Sequence, residues 1–392
     1  MILTINCGST SIKYKLFDNN ESLYGGEVTG IATDESRVRH TTASEEIVED
    51  YDVTTHEEGI RHIVEFIMGD DRGEPIENSD ITAVGHRVVH GGDLTKAHIV
   101  NQPVKETIRE FASIAPLHNP VNLVGIETME DYFPNVPQVA VFDTAFHQTM
   151  PPEAFLYGIP YEFYENHDVR RYGFHGISHS YVAHKACEML NRSVNETNLI
   201  TCHLGGGCSV TAIKQGNSID TSMGFSPLEG VLMATRSGDI DPTVLEYLRD
   251  QCGIDFDESL EILNNESGLA GISGINSRME DILAAYEAGN ERAELAIRKF
   301  AYSIRQYVGS YAITLDDVDM IVFTAGIGEN VPLVRELIGT LPILGTEIDS
   351  AQNEATVGKP GVISTNESNI DVVVIPTKEE YRIAQLARRL IE

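Results

Sequence analysis

Two stretches of this chain combine a glycine-containing turn with hydroxyl and basic side chains, a combination that suits phosphate binding. The first, at residues 2–17, reads ILTINCGSTSIKYKLF, and its polar members at or beside the turn are Asn6, Ser9, Ser11 and Lys13. Glycine lets backbone N–H groups turn toward an anion, the hydroxyl groups add donors, and the lysine adds a positive charge. Taken alone, this stretch is equally well explained as an ordinary hairpin with a polar turn.

The second stretch repeats the pattern about half a chain length later. Residues 199–214 read LITCHLGGGCSVTAIK, in which an apolar strand ends at His203 and Leu204 and is followed by Gly205, Gly206 and Gly207. Two such hairpins, each opening one half of the chain, indicate a duplicated fold. They also predict a shared cleft in which a nucleotide could sit.

Two arginines could bind an anionic group. Arg87 lies within the apolar run ITAVGHRVVH, at residues 81–90, and Arg236 lies in a loop rich in Gly, Ser and Asp. A buried arginine must be paired, either with an internal carboxylate or, as a two-pronged donor, with a substrate carboxylate or phosphate. Both interpretations stay open for each arginine, and internal ion pairs are the commoner of the two.

Further candidates follow predicted strands or lie in loops. Asp143 follows the strand QVAVF at the carboxyl edge, where the sites of α/β proteins lie, although it could equally cap a turn. His118, His175 and His203 lie in loops or at strand ends beside Gly or Pro, with no metal-binding spacing.

Two late segments could contact a nucleotide or a cation. The segment GIGEN, residues 326–330, follows a strand and could open a helix toward a nucleotide, and neither a GxGxxG nor a Walker-type motif is present. Glu379 belongs to the segment TKEE, which we interpret as a capping box for the last helix. Its charge suits the start of that helix and could also hold a cation.

The elements that must position these residues alternate between strands and helices, which predicts an α/β fold. Helical periodicity marks residues 56–68, 122–133, 180–191 and 290–315, the last capped by Asn290. Strands are predicted at 81–90, 138–142, 320–324 and 372–375, and residues 116–122 are predicted to form a loop. A change of domain is placed near residues 145–150.

Composition limits the possible functions. The 392 residues are enough for two domains, and 60 acidic against 28 basic side chains give a net charge of −32. This charge disfavours nucleic acid and anionic membrane surfaces as partners. The acidic residues are spread along the chain, which leads to the hypothesis of adaptation to high salt.

The cysteines and the chain's start indicate a cytoplasmic protein. The five cysteines are an odd number and include no CxxC pair, which fits a reducing compartment without a zinc site. The first residues enter a strand directly without the features of a signal peptide, and no apolar run approaches membrane length.

A series of segments, in chain order, resembles the acetate kinase family. They read INCGSTSIK, GHRVVHGG, PLHNP, VFDTAFHQTMP, RRYGFHGISH, CHLGGGCS, TRSGDIDP, TAGIGEN and IPTKEE. The resemblance implies a duplicated, two-domain α/β fold of the actin/sugar-kinase, ribonuclease H-like type, with an interdomain nucleotide cleft. It implies an N-terminal domain of residues 1–147 with the last helix, 380–392, and a nucleotide-binding and dimerisation domain of residues 148–379.

The resemblance also implies roles for individual residues. The catalytic group would be Arg87, Asp143, His175 and Arg236. The substrate would contact Arg87, His118 and a small apolar pocket formed by Val89, Leu117, Phe174 and Pro227. The nucleotide and its phosphates would contact Ser9, Ser11, Lys13, the segment from His203 and Leu204 through Gly205, Gly206 and Gly207, and Gly326, Ile327, Gly328, Glu329 and Asn330. Asn6 and Glu379 would lie at Mg²⁺.

One segment departs from the family's usual pattern. Residues 273–281 read SGINSRMED, and the family's nucleoside-contacting Asp and Arg are replaced by Arg278 and Glu280, so that both charges are reversed. The reversed pair could still pack together near the nucleoside, or the phosphoryl donor could be another nucleotide or pyrophosphate.

The implied function is reversible, Mg²⁺-dependent phosphoryl transfer from ATP to acetate, which yields acetyl phosphate and ADP. Propionate or butyrate kinase activity is a close alternative, because one methylene changes binding by only about 1–3 kcal/mol. A nucleotide-binding protein without transfer chemistry is an alternative of another class. The family further implies a homodimer, while the net charge predicts no nucleic-acid or membrane partner.

Overall fold

The computed structural model describes residues 1–42, 44–69 and 76–392, which form two compact units. The first unit contains residues 1–148 and 378–392, and the second contains residues 149–377. Of the helices in the described ranges, none combines the length and the hydrophobicity needed to cross a membrane.

The first unit is built on one eight-stranded sheet. Its strands are β1 (Ile2–Gly8), β2 (Ser11–Asp18), β3 (Glu21–Thr29), β4 (Arg37–Thr41), β5 (Glu46–Glu49), β6 (Ala83–Val88), β7 (His98–Ile99) and β8 (Gln138–Phe142). Their order in the sheet is β5-β4-β3-β2-β1-β6-β8-β7. Its α-helices are α1 (His56–Met68), α2 (Gln102–Glu110), α3 (Asn119–Tyr132) and, at the end of the chain, α15 (Glu379–Ile391).

Glycines let helices approach both faces of this sheet. A Cβ added to Gly125 of α3 would lie 2.7 Å from the Cys7 sulfur, on the face where Leu3 and Ile5 join the apolar core. On the other face, a Cβ added to Gly85 of β6 would lie 2.7 Å from a methyl carbon of Ile383 in α15. Because side chains alternate along a strand, Asn6 and Arg87 belong to the face that α15 covers.

The second unit is built on a six-stranded sheet. Its strands are β9 (Asn198–Leu204), β10 (Cys208–Lys214), β11 (Asn217–Thr221), β12 (Met320–Thr324), β13 (Gly361–Val362) and β14 (Asp371–Val374). Its α-helices are α4 (Pro152–Phe155), α5 (Glu162–His167), α6 (Gly176–Met189), α7 (Thr243–Tyr247), α8 (Phe256–Glu261), α9 (Gly268–Ser273), α10 (Met279–Glu287), α11 (Glu291–Leu315), α12 (Ala325–Asn330), α13 (Pro332–Gly339) and α14 (Ser350–Ala355).

The two sheets share one topology, which confirms the predicted duplication. The strand order β3-β2-β1-β6-β8-β7 in the first unit corresponds to β11-β10-β9-β12-β14-β13 in the second. In each sheet the hairpin partners are antiparallel, the next two pairs are parallel, and the edge strand is again antiparallel. The first unit adds β4 and β5 at one edge.

Regular periodicity predicted several elements well. The helix predicted at 56–68 is α1, and the long helix is α11, in which the side chain of Asn290 accepts hydrogen bonds from two N–H groups of the first turn. The apolar side chains that helical spacing places on one face of α11 are buried, namely Ala293, Ile297, Phe300, Ile304 and Val308. The strands predicted at 138–142 and 320–324 are β8 and β12.

Other local predictions were wrong. Helix α3 begins at Asn119 inside the predicted loop, because proline fits the first turn of a helix, and α6 begins at Gly176. The capping box at TKEE does not form, since Lys378 occupies the cap position and the Thr377 hydroxyl lies 2.9 Å from that of Ser178. The segment GIGEN, by contrast, lies in the short helix α12, which agrees with the prediction that it opens a helix after a strand.

Candidate active site

In the first unit, the side chain of Arg87 joins two of the predicted site residues. Its Nε lies 3.2 and 3.1 Å from the two carboxylate oxygens of Asp143, and its Nη2 donates to Oδ2 at 2.5 Å. Its Nη1 donates to Oδ1 of Asn6 at 3.2 Å. Asp143 is 1% exposed, and its carboxylate therefore holds the guanidinium from the buried side.

The strands explain this arrangement. Arg87 lies near the end of β6, which is parallel to both β1 and β8, so that Asn6 near the end of β1 and Asp143 just after β8 reach the same sheet edge. Of the two interpretations of Arg87, the internal ion pair is present. Two of its five N–H groups are not used by any described residue, so the ion pair leaves donors for a substrate anion.

Glu379 begins α15 on the same face as Arg87. Burial, with the negative charges of Asp143 and Glu380, raises the pKa of Glu379 to about 7, against the opposing influence of Arg87 and Lys13. Two carboxylates and an amide oxygen, from Asp143, Glu379 and Asn6, are hard ligands of the kind that Mg²⁺ takes while it keeps several waters. Among the described residues, no group of three or more His, Cys, Asp or Glu side chains is arranged to hold a metal ion without further ligands.

The first predicted phosphate loop is a tight hairpin. Ser9 and Thr10 alone separate β1 from β2, and both are exposed. Asn6 pairs with Lys13 across the ladder, and the exposed Lys13 forms no ion pair with a described carboxylate. Ser11 begins β2, so the hydroxyl groups and the lysine surround an open turn.

The other residues of the first unit that were predicted to contact the substrate lie around the start of α3. His118 is the N-cap residue of α3 and is half-buried, while Leu117 beside it is 64% exposed. Val89 is buried, and its N–H donates to Oδ1 of Asn122 in α3 at 3.0 Å. The same side-chain amide donates to the carbonyl oxygen of Cys7 at 2.7 Å, which links this strand end to β1.

In the second unit, the glycine turn between β9 and β10 brings His175 and Arg236 together. A Cβ placed on Gly207 would lie 3.3 Å from Nη1 of Arg236 and 3.3 Å from Nε2 of His175. The loop that carries Arg236 is held to this turn, since the N–H of Ala234 donates to the carbonyl oxygen of Gly206 at 3.2 Å. Gly206 has open space where a side chain would begin.

Arg236 is half-buried and has no carboxylate partner among the described residues. Its Nη1 approaches only the carbonyl oxygen of Pro227, at 3.4 Å, and the sulfur of Met233, at 3.8 Å. Burial lowers the pKa of Arg236, against a small opposing influence of Cys208. The internal ion pair that was one interpretation of Arg236 is therefore not formed with any described carboxylate, and a guanidinium in this position is able to bind an anion.

Three histidines lie close together behind the same turn. The rings of His175 and His203 are stacked with centroids 4.1 Å apart, and the ring of His179 lies 6.1 Å from that of His203. His175 has a φ of 57°, an uncommon conformation for a residue other than glycine. Such backbone strain persists where the surrounding structure imposes it, which is frequent at functional sites.

The segment GIGEN forms a closed turn around its glutamate. Oε1 of Glu329 accepts hydrogen bonds from the N–H groups of Ala325, at 2.8 Å, and Thr377, at 3.0 Å. The side chain of Asn330 donates to the carbonyl oxygen of Gly326 at 2.9 Å. Gly326 has open space beyond its Cα, while Ile327 and Gly328 are buried. A nucleotide could therefore contact Gly326, whereas the Glu329 carboxylate already accepts hydrogen bonds from backbone N–H groups.

Arg278 and Glu280 form an exposed pair. Nε of Arg278 lies 3.8 Å from Glu280 and 3.7 Å from Asp281, at the start of α10.

Phe174, which was predicted to line the apolar pocket, is buried, with 2% of its surface exposed. Sequence reasoning gave no role to Thr201, Ser209 or His179, although all three lie within segments already singled out, because a buried polar residue beside an apolar strand gives no signal of its own.

Comparisons with known proteins agree over the whole chain. The model of the acetokinase family matches residues 1–385. The chain belongs to the acetokinase family. The relatives include an acetate kinase from Thermoanaerobacterium thermosaccharolyticum, which is 46% identical over 396 aligned residues that cover 100% of this chain and 99% of that protein.

Solved structures of family members have the same fold. An acetate kinase from Porphyromonas gingivalis matches with a TM-score of 0.94 and 41% identity, over 100% of this chain and 99% of that one. A propionate kinase from Francisella tularensis subsp. tularensis SCHU S4 matches with a TM-score of 0.92 and 39% identity, over 99% of each chain. The predicted fold and family are thus confirmed, and this acetokinase-family chain is a phosphotransferase with a carboxyl acceptor that uses ATP and ADP.

Proposed function

We propose that the protein is an acetate kinase, which transfers the terminal phosphoryl group of ATP to acetate and catalyses the reverse reaction. The observation that carries this proposal is Arg236, a half-buried guanidinium without a carboxylate partner, beside a glycine turn and His175. A protein that only binds nucleotide would have no need for this group together with the Arg87–Asp143 pair. The family's name and the relatives' names support the same conclusion.

The chemistry requires charge neutralisation more than proton transfer. A short carboxylic acid has a pKa near that of a Glu side chain, about 4.3, and is ionised at neutral pH. A carboxylate oxygen then attacks the terminal phosphorus, the bond from that phosphorus to the bridging oxygen breaks, and ADP leaves with the electron pair. We propose that Arg87 orients the carboxylate, while Arg236 and His175 stabilise charge on the transferring group.

Asp143 is a positioning residue in this proposal. Both of its oxygens accept hydrogen bonds from Arg87, so its carboxylate fixes the guanidinium that meets the substrate. No general base is required, because the acceptor is already ionised.

We propose Mg²⁺ as the metal of this reaction. Asn6, Asp143 and Glu379 would hold it, directly or through water, since carboxylate and amide oxygens are the protein ligands that Mg²⁺ prefers. When bound, the ion would neutralise charge on the phosphate chain. The hydroxyl groups and lysine of the first turn, with the Gly205–Gly207 turn, would contact the phosphates.

Acetate and ATP are the acid and the phosphoryl donor that we propose, and each has an alternative. The structural similarity to a propionate kinase favours propionate as the second candidate acid. The exposed Arg278–Glu280 contact fits a surface pair, which supports ATP over a changed donor. Rates with acetate, propionate and butyrate, and separately with ATP, GTP and pyrophosphate, decide both points. A clear preference for pyrophosphate would overturn the choice of ATP.

The test of the function is direct detection of acetyl phosphate. Purified protein with acetate, MgATP and hydroxylamine should form acetohydroxamate, and Arg236→Ala should form at least 100-fold less, the loss typical of a removed charge-stabilising group. Arg298→Ala, on the exposed face of α11, is the matched control and should retain full activity. Failure to form an acyl phosphate from any acid and donor would favour the nucleotide-binding protein.

We further propose a cytoplasmic homodimer. The second unit exposes large apolar side chains, among them Tyr247, Tyr302 and Ile313, which fits burial against a second copy. All five cysteines are free, which fits a reducing compartment. Light scattering on the purified protein should give twice the monomer mass, and a monomer at micromolar concentration would contradict the dimer.

A further inference from the structure

We propose that Ser209 and His179 are positioning residues that keep the ring of His175 in one tautomer, with its proton on Nε2. Through this hydrogen-bond chain, His175 presents an N–H donor to the bound anion at all times. The inference rests on the proposed function for the meaning of that donor, although the tautomer itself can be measured without turnover.

A continuous set of short contacts links His175 to strand β9. Nδ1 of His175 lies 2.9 Å from the Ser209 hydroxyl oxygen, and the same oxygen lies 2.7 Å from Nε2 of His179. Nδ1 of His179 lies 2.7 Å from the hydroxyl oxygen of Thr201. Ser209, His179 and Thr201 are each 0% exposed, so water does not compete for these hydrogen bonds.

The donor and acceptor roles along this series of hydrogen bonds are fixed at Thr201, its most distant member from His175. Within the part of the protein that the structure describes, Nδ1 of His179 is the only hydrogen-bonding partner of the Thr201 hydroxyl. A buried hydroxyl hydrogen without an acceptor costs free energy, so the Thr201 hydroxyl must donate to that nitrogen. Nδ1 of His179 therefore carries no proton, and the ring of His179 is protonated on Nε2.

The tautomer of His179 determines the donor and acceptor roles in the remaining hydrogen bonds. Nε2–H of His179 donates to the Ser209 oxygen, and the Ser209 hydroxyl then donates to Nδ1 of His175. Neutral His175 must carry its proton on Nε2. A proton on Nδ1 of His175 would face the Ser209 hydrogen, or would force the chain to reverse and leave the Thr201 hydrogen without an acceptor.

The protonated nitrogen lies on the side where the anion is expected. Nε2 of His175 and Nη1 of Arg236 are both 3.3 Å from the point where a Cβ of Gly207 would begin. The His175 ring is also held by stacking on the ring of His203. The backbone of His175 is fixed by a hydrogen bond from the N–H of His179 to the carbonyl oxygen of His175, at 2.9 Å. With the ring's position and its proton both fixed, little reorganisation is required when charge develops.

His203 offers an internal contrast. Its Nδ1 lies 2.9 Å from the Ser178 hydroxyl oxygen, which in turn lies 2.9 Å from that of Thr377. Thr377 is only half-buried, so solvent can satisfy its hydroxyl in either direction. The chain behind His203 can therefore reverse, whereas the chain behind His175 cannot.

The experiment is NMR of protein labelled with ¹⁵N in the histidine side chains, with His175 assigned by its loss in His175→Asn. Wild-type His175 should show a protonated Nε2 and an unprotonated Nδ1. Thr201→Val and Ser209→Ala remove one hydroxyl each, and both should move the His175 signals toward a mixture of tautomers. The matched control is Thr211→Val, since Thr211 lies opposite Thr201 in the β9–β10 ladder and its hydroxyl contacts Thr221 instead.

Kinetics give the second measurement. Thr201→Val and Ser209→Ala should lower kcat about 10- to 100-fold, the range found when groups that orient a catalytic ligand are removed. KM for ATP should change less, and Thr211→Val should change neither value. A wild-type proton on Nδ1, or His175 signals that are unchanged in both folded variants, would overturn the proposal. Absence of acyl phosphate synthesis would instead defeat the proposed function, while the wild-type spectrum would still decide the tautomer.

Discussion

Arg87 and Asp143 form a fork-like ion pair, with Nε and Nη2 of the guanidinium both directed at one carboxylate. The two residues are 56 positions apart in the chain and meet because β6 and β8 are parallel neighbours. Asp143 is almost fully buried, and Arg87 keeps 19% of its side chain exposed. The carboxylate is thus inside and the free edge of the guanidinium is outside.

Asp143→Asn should abolish most activity without blocking substrate access. The amide keeps the size of the carboxylate, but it directs an NH₂ group toward Arg87 and removes the charge that orients it. We expect kcat to fall about 100- to 1,000-fold, as for other groups that preorganise a charged site. A coupled assay of ADP formation checks this, and near-normal turnover would remove Asp143 from the mechanism.

Arg87 and Arg236 should differ in their effect on stability. Arg87→Ala leaves a buried carboxylate unpaired and should lower the free energy of unfolding by about 3 kcal/mol or more. Arg236→Ala removes a half-buried charge that no described carboxylate compensates, so its melting temperature should stay equal to the wild type or rise. Both variants should be nearly inactive.

Thermal melting of the two alanine variants, followed by circular dichroism, makes this comparison. Arg298→Ala serves as the control for loss of an exposed arginine whose partner is a surface glutamate. An equal loss of stability in Arg87→Ala and Arg236→Ala would show that Arg236 has a structural partner and would weaken its role as an anion-binding group.

The sequence predicted the repeated architecture, because this depends on local patterns, and the same patterns selected the candidate site residues. Periodicity marked α1, α11 and the strands of both hairpins, and glycine-containing turns marked the two loops for which phosphate binding is proposed. The partners of those residues depend on contacts between distant segments. Nothing local distinguishes Arg87, which pairs with a carboxylate, from Arg236, which pairs with none in the described ranges. Likewise, the hydroxyl of Thr377 contacts that of Ser178, 199 positions away, and does not cap the helix that follows it.

Glu329 should matter for stability more than for nucleotide binding. Its carboxylate accepts two backbone hydrogen bonds, from Ala325 and Thr377, and bonds to a charged group contribute about 1.5–3 kcal/mol each. Glu329→Ala should therefore lower the free energy of unfolding in urea by a few kcal/mol. Glu367→Ala, at an exposed position, is the control and should change it by less than about 0.5 kcal/mol. A raised KM for ATP with unchanged stability would restore the original prediction of a nucleotide contact.

The cysteines should react with thiol reagents very unequally. Burial raises the pKa of Cys7 and Cys208 to about 12, and it also raises the pKa of Cys187 and Cys202. Cys252 is the exposed thiol. Because the thiolate is the reactive form, we expect about one fast-reacting thiol in the folded protein at pH 8, and five after unfolding. Cys252→Ser should remove the fast phase, and fast labelling of several thiols in the native protein would contradict the burial described for them.

Salt should stabilise this protein. A net charge of −32 creates self-repulsion that salt screens, with a Debye length of about 3 Å at 1 M. Salt also screens favourable pairs such as Arg37–Asp50 and Lys185–Glu188, but exposed pairs contribute only about 0–1 kcal/mol each. The repulsion is the larger effect, so the melting temperature should rise between 0.05 and roughly 1 M KCl. A matched series in glycerol separates screening from general solvent effects, and a melting temperature that is highest at low salt would refute adaptation to high salt.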